Sequence, residues 1–531
     1  MRRARMGVTA LLGAAAVFAS MSLAMAETTL KVVPQADLKN VDPVWTTAAI
    51  TQNHGYMVYD MLFSMDSKLQ PQPQMVDSWK TSDDGLTWSF TLRDGLLFHD
   101  GSPVESKDAI ASIKRWSVKR ADGQALMTRV KEIVAVDAKT FEIRLEKPFG
   151  PMLSVLANPT LPLPVMREEE AQTDPNTQVT TIIGSGPFVF DDKAWVPGDR
   201  VVYRKFKDYK PRSEPVDGFS GGKVAKVDTV EWIYIPDTNT ATQALMSGEV
   251  DAYEIPPLDL MPMLKADPNI TVKVLDTLGK MGHIRPNHLY PPFNDVRARQ
   301  ALQLLVDQRE FLAAQVGNPE FETVCYAVFM CNSALESEAH AEPWMKPNPE
   351  KAKELLAAAG YNFKDPIVVM LPTDQQIIYN NILVMVGKLK EIGVNVDAQA
   401  MDWSSLTSRR AKTDDPNTDP KVGWHIFPTW WTGVPMSSPL TNAPLVSTGD
   451  PKTAWFGWPK DDEIERLRAA FMDAGTKEEQ MKIVDALQKR FYEFIPYLNT
   501  GQFVTPVAWR NTLKGVPNAL LFVAWNIEKT E

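Results

Sequence analysis

The stretch TLRDGLLFHDGSPVESKDAIASIKRW, Thr91–Trp116, holds His99, Asp100 and Ser102 within four residues. Those are the residue types of a nucleophilic triad, but triad members meet across a fold, because adjacent side chains point in different directions. The chemistry around them is that of a strand, a turn and a helix. Upstream, LTWSFTLR alternates, with Leu86, Trp88, Phe90 and Leu92 on one face, as in a half-buried strand. The Asp and Gly of RDG and HDG, with Pro103, are turn chemistry. Beyond them Ala109, Ile110, Ile113 and Trp116 recur at helical spacing, and Asp108 falls in the first turn, where the helix dipole favours a negative charge. His99, Asp100 and Ser102 are therefore turn and cap groups, and no catalytic residue is assigned to them.

The rest of the chain mixes strands and helices in the same way. TFEIRLEKP alternates through Phe141, Ile143 and Leu145. NPEKAKELLAAAG reads as a helix with Asn348 as N-cap and Gly360 as stop, and TKEEQMKIVDALQKRFYEFIP starts with a Thr476–Glu479 capping box. DVRARQALQLLVDQREFLAAQVG reads as one further helix closed by Gly317. Six of the 15 tryptophans lie between Trp403 and Trp458, and GWHIFPTWWTGVPMSSPLTNAP reads as a long ordered loop, a type of segment that tends to carry function.

Length and charge narrow the classes. Arg2, Arg3 and Arg5, a short apolar run and Ala24-Met25-Ala26 make residues 1–26 a signal peptide with Glu27 as mature start. No cysteine lies there, so a soluble periplasmic protein without a lipid anchor is expected. A chain of 531 residues exceeds what one core serves. The net charge of −10 becomes more negative once the signal arginines go, which argues against nucleic acid and anionic membranes as partners. The two cysteines, Cys325 and Cys331, read as a local disulfide in an oxidising compartment, with free thiols as the alternative; so short a loop contributes about 2 kcal/mol. No G-x-S-x-G elbow, H-E-x-x-H, phosphate loop or G-x-G-x-x-G occurs. An enzyme, a secreted hydrolase for example, has no motif in its support. No cofactor and no metal are expected.

LRDGLLFHDGSPVESKDAIASIKR resembles the signature of the family 5 solute-binding proteins of ABC importers, the peptide/nickel-binding group. Four further blocks are similar to that family in order: GSGPFVFDDKAWVPGDRVVYRKFKDY (184–209), QALMSGEVD (243–251), PPFNDVRARQAL (291–302) and PEKAKELLAAAGY (349–361). Glu105 departs from it, standing where Thr or Ser often caps the helix; Glu is a poor N-cap, and either the cap is weaker or Ser106 takes it over. The resemblance implies an α/β, periplasmic-binding-protein-like two-lobe fold, the large type II variant with an extra subdomain. Lobe I takes residues 27–284 and 500–531, lobe II takes 285–499, and HIRPNHLYPPF crosses between them. It also implies a monomer that captures peptides or a similar amphipathic organic solute and delivers it to an inner-membrane ABC permease with its cytoplasmic ATPase.

For the ligand, the resemblance points to an acidic residue after Gly423-Trp424 and an arginine after DPIVVMLP. HIFPTWWT and TDQQIIYNN supply neither, so both ionic handles of a short-peptide site are absent from those positions. Aromatic area stands there instead. Trp403, Trp430 and Trp431 are pocket candidates, whereas Trp424, Trp455 and Trp458 are assigned to packing. Thr46, Thr47 and Ala48 resemble a ligand-facing loop. Arg285 is a candidate for a ligand anion or a structural salt bridge, Asn287 for ligand or backbone, and His425 for a metal chelate; a non-peptide aromatic or apolar solute, or a metal chelate of the nickel or haem type, is the alternative ligand.

Overall fold

Most strands fall into two large mixed sheets and a smaller antiparallel one, with two two-stranded sheets besides. The computed structural model describes residues 27–530, so the segment read as a signal peptide lies outside the described residues. The seven-stranded sheet runs, edge to edge, Ile270–Val274, Pro506–Arg510, Ala252–Tyr253, Thr29–Val33, Thr229–Ile233, Arg200–Lys205 and Phe188–Phe190. The six-stranded sheet runs Glu322–Thr323, Leu498–Phe503, Lys280–Pro286, Ile426–Thr432, Ile367–Pro372 and Val396–Met401. Each is the centre of one lobe. The third sheet, with Thr87–Leu92 and Thr140–Leu145 at its centre, packs on the helix Ser106–Lys119 around Phe90, Ile113, Trp116, Phe141 and Ile143, all 0% exposed. It has its own core and forms the extra subdomain.

The strands Lys280–Pro286 and Leu498–Phe503 both lie in the second sheet. The chain therefore crosses between lobes at residues 275–279 and 504–505, earlier and later than the sequence placed the crossings, and His283–Phe293 is not one of them. The two crossings touch. Lys280 Nζ donates to Thr505 Oγ1 at 2.6 Å, and Gly279, at φ 78°, packs against the Phe503 carbonyl.

In the 91–116 segment, Asp100 Oδ1 accepts the Ser102 N–H at 3.0 Å and its hydroxyl at 2.6 Å. His99 bonds neither. Its Nδ1 accepts the Gly184 N–H at 3.2 Å and its Nε2 lies 3.1 Å from the Gly186 carbonyl, which fixes a neutral ring with Nε2 as donor. Burial lowers its pKa to about 4. At the helix start the Asp108 carboxylate accepts the Glu105 N–H at 2.8 Å, while Ser106 turns away to donate to the Asp137 carbonyl. Glu105 is the N-cap, and it forms with Asp108 the capping box of this helix start.

Two expectations fail for local reasons. The helix read through 295–317 is two, Val296–Gln303 and Gln308–Gln315, because Asp307 caps the second by accepting the Arg309 N–H at 3.0 Å. The loop read around Trp430 is largely the strand Ile426–Thr432. Its partner on one side, Lys280–Pro286, pairs along the whole length, but on the other side only Val369↔Ile426 is paired. Pro428 is tolerated because its missing N–H faces that unpaired edge. Cys325 and Cys331 are disulfide-bonded.

Replacing Gly279 with Ala places a Cβ on the Phe503 carbonyl at a left-handed φ. Urea denaturation is expected to show a loss of about 2 kcal/mol.

Candidate ligand-binding site

The lobes close over two adjoining cavities that share Gln35, Gln375 and Trp430. The inner one, of about 40 Å³, is walled by Thr47, Ala48, Gln52 and Asn53 of the first lobe and by Trp403, Arg410, Trp431 and Trp455 of the second. The outer one, of about 410 Å³, reaches Tyr234, Asp259 and Asp374. Polar contacts bridge the lobes around them. Lys39 meets Asp402 at 2.6 Å, Ser404 donates to the Asp37 carbonyl at 2.9 Å, Gln375 donates to the Gln35 carbonyl at 2.7 Å, and Trp455 Nε1 donates to Thr47 Oγ1 at 3.1 Å.

Three elements present these side chains. The helix Ala49–Val58 begins at the cavity, with Ala48 as an N-cap lacking any side-chain acceptor and no acid in the first turn. Its far end is wedged by the GSGP block, where a Cβ on Gly184 or Gly186 would strike the Val58–Tyr59 backbone. The helix Trp403–Arg409 is capped by Asp402, which accepts the Ser405 N–H at 3.0 Å. Arg410 follows Trp403 by seven residues, two helical turns, so both lie on one face. Their separation is 5.5 Å from guanidinium carbon to ring centre. The strand Ile426–Thr432 brings Trp430 and Trp431 to the cavity at its unpaired edge.

Unpartnered polar atoms sit within this wall of mixed aromatic and polar side chains. Gln35 Nε2, Trp431 Nε1 and Arg410 Nε and Nη2 are buried donors without acceptors; Gln52 Oε1 and Asn53 Oδ1 are buried acceptors without donors. Burial lowers the pKa of Arg410 to about 9, so it remains charged at neutral pH. Asp374, in the outer cavity, accepts the Trp403 N–H at 2.7 Å and the Tyr234 hydroxyl at 2.8 Å, and burial raises its pKa. Behind the wall, Glu254 accepts the Gln35 N–H at 2.9 Å and the Asn53 amide, and burial pushes it up to about 7.

Trp403, Trp430, Trp431, Thr47 and Ala48 line the inner cavity; other candidates stand elsewhere. Thr46 turns inward, its Oγ1 accepting the Ala48 N–H at 3.2 Å. Arg285 is enclosed by carbonyls, donating to Pro444 and Pro496 at 2.8 Å each and to Phe456 at 2.7 Å, so it serves neither a ligand anion nor a salt bridge. Asn287 donates to the Trp424 carbonyl at 3.0 Å and faces backbone. His425 accepts the Val368 N–H through Nδ1 at 3.0 Å, and burial lowers its pKa to about 4. No group of three or more His, Cys, Asp or Glu placed to hold a metal occurs among the described residues. Trp455, assigned to packing, lines the cavity; Trp424 and Trp458 are core. Both ionic groups missing from the expected positions occur on other segments, as Arg410 and Asp374. No local sequence signal marks Arg410, because its lack of an acceptor is decided by packing.

Two lobes joined by paired crossings, closing on an aromatic cavity with free donors and acceptors, define a solute-enclosing protein. Residues 70–452 match the model of the bacterial extracellular solute-binding proteins, family 5. A probable peptide ABC transporter periplasmic-binding protein of Sinorhizobium fredii, y4tO, is 41% identical over 499 residues, 93% of this chain and 92% of that protein. Among solved structures, the binding protein AgaA of A. tumefaciens R10 in complex with agropinic acid is similar at a TM-score of 0.78 and 21% identity, covering 95% of this chain and 99% of that one. The oligopeptide-binding protein AppA of Bacillus subtilis in complex with a nonapeptide follows at 0.77 and 19%, with the same coverage. The chain belongs to the family 5 bacterial extracellular solute-binding proteins.

Glu254 generates a pH signature. Its carboxyl titrates near 4.5 when unfolded and near 7 when folded, so the folded state holds the extra proton between those values. Stability is expected to fall as pH rises from about 4.5 to about 7 through this group. Glu254→Gln should flatten that part of the profile in denaturation at graded pH; an unchanged slope would place the proton elsewhere.

Proposed function

We propose that this protein is the extracytoplasmic substrate-binding component of an ABC importer. It encloses a peptide between its lobes and hands it to an inner-membrane permease driven by a cytoplasmic ATPase. It acts as a periplasmic monomer, exported by residues 1–26, and performs no chemistry on its solute. The carrying observation is the set of unpartnered atoms in the inner cavity. Gln35 Nε2 and Trp431 Nε1 offer hydrogens, Gln52 Oε1 and Asn53 Oδ1 accept them, and a peptide backbone presents both kinds of partner in alternation. The surrounding tryptophans take side chains of varied shape. The likeness to the probable peptide-binding protein of S. fredii supports the same reading. Capture follows from closure: the contacts across the lobes complete a cavity whose polar atoms are satisfied only when a solute supplies partners.

A thermal-shift panel of peptides two to nine residues long tests this. A ligand at about a hundred times its Kd stabilises by about 2.7 kcal/mol. Trp430→Ala is expected to weaken binding by about thirtyfold, with little change in the ligand-free melting temperature. A full shift retained in both Trp430→Ala and Trp431→Ala would remove the cavity from peptide recognition.

A further inference from the structure

Residues 515–527 form a loop without helix or strand, and both of its ends are fastened. Leu513 and Lys514 pair with Lys529 and Glu528. Asn526 Oδ1 accepts the Val224 N–H at 2.7 Å, the Asn526 N–H donates to the Val224 carbonyl at 2.7 Å, and its side-chain amide donates to the Gly222 carbonyl at 2.9 Å. Between these ends the loop is held differently. From Val516 to Trp525 no main-chain group hydrogen-bonds another residue among the described residues. Side chains hold it instead. Val523, Ala524 and Trp525 are at most 4% exposed and sit in the core, while Leu520, Leu521 and Phe522 are half-buried at the tip. A compact loop with close ends, packed through its own side chains, is a frequent carrier of function.

Leu521 stands between two spaces. On one side it lines the inner cavity. On the other it lines a third cavity, of about 10 Å³, walled by Val32, Tyr56, Met57 and Trp232. Asn53 and Leu521 are the two residues that both cavities share, so they form the partition. Asn53 is fixed: it belongs to the helix Ala49–Val58 and its amide donates to Glu254. Leu521 is fixed by packing alone. The space behind it is apolar, since the one hydroxyl there, that of Tyr56, is spent on the Pro159 carbonyl at 2.8 Å. The inner cavity, of about 40 Å³, holds about three water-sized groups as it stands.

Resting on the peptide-binding reading, and sharpening it, we infer that Leu521 is a specificity-determining residue: it closes the end of the inner cavity and sets the largest side chain of the solute that the cavity admits. A side chain of about three heavy atoms, the size of valine, fits against it. A larger one meets the leucine methyls, and overfilling a closed space is costly. The remainder of the solute passes Trp430 into the outer cavity. Truncating Leu521 to its Cβ joins the inner and third cavities into one deeper space with an apolar end. Because no main-chain hydrogen bond of the tip depends on it, that side chain can change while the loop keeps its fastened ends.

Two series of tetrapeptides test this by calorimetry, carrying Ala, Val, Leu, Phe or Trp at the first position in one series and at the last position in the other. In one of them the wild type is expected to bind the Val member about tenfold or more tighter than the Phe member. Leu521→Ala should erase or reverse that preference, and Leu521→Phe should narrow binding to the Ala member. The two substitutions act in opposite directions, so a general loss of stability does not reproduce both. Leu520→Ala, on the same loop but lining neither cavity, should leave the preference unchanged. A second readout needs no solute: crystals of Leu521→Ala under xenon should hold an atom where the leucine side chain stood, against Val32 and Met57. No preference in either series, a preference that survives Leu521→Ala, an equal shift in Leu520→Ala, or no xenon at that place overturns the proposal. Failure of every tetrapeptide to bind the wild type defeats the peptide reading instead, and the xenon experiment then decides by itself whether Leu521 closes the cavity.

Discussion

The chain must pass between its two sheets twice, and both passages occupy the same small volume. Residues 275–279 and 504–505 run side by side, tied by Lys280 to Thr505 and by the close approach of Gly279 to Phe503. Everything else that joins the lobes is side-chain contact across a gap. The lobes are thus free to move only about this pair of crossings, the arrangement of a hinge. The cavity exists because of that constraint: its two walls come from different sheets and meet only on closure.

The segment with His99, Asp100 and Ser102 contributes to that site at a distance. His99 holds the backbone of Gly184 and Gly186, and those glycines wedge the Val58–Tyr59 end of the helix that starts at Ala48. What resembles a catalytic triad is therefore a turn that fixes, through one histidine and two glycines, the position of a helix whose other end faces the solute. Glu254 does similar work from behind, holding Gln35 and Asn53 at the wall.

Much of the fold was legible in the sequence, because alternation and helical spacing survive wherever one face of an element is buried. Phe90 with Leu92, Phe141 with Ile143, and Ala109 with Ile113 and Trp116 all face cores as their spacing implied. The misread elements were decided by neighbours far along the chain. Pro428 argues against a strand until it is known that one edge of that strand is unpaired. Asp307 is an unremarkable residue in a helical pattern until it turns to cap the next helix. In the site, the tryptophans and Thr47–Ala48 could be read from composition and motif. Arg410 could not, because its significance lies in what it lacks: local sequence does not reveal that a buried arginine has no acceptor. Arg285 misled for the converse reason, since its carbonyl partners come from residues 444, 456 and 496.

A crystal structure of the protein carrying whatever solute it retains from the periplasm of its own cells tests the central claim most directly. The expected result is one solute between the lobes, spanning both cavities past Trp430 and satisfying Gln35, Gln52, Asn53 and Trp431. A solute bound outside this interlobe space, or one seated there while those atoms stay unpaired, would contradict it.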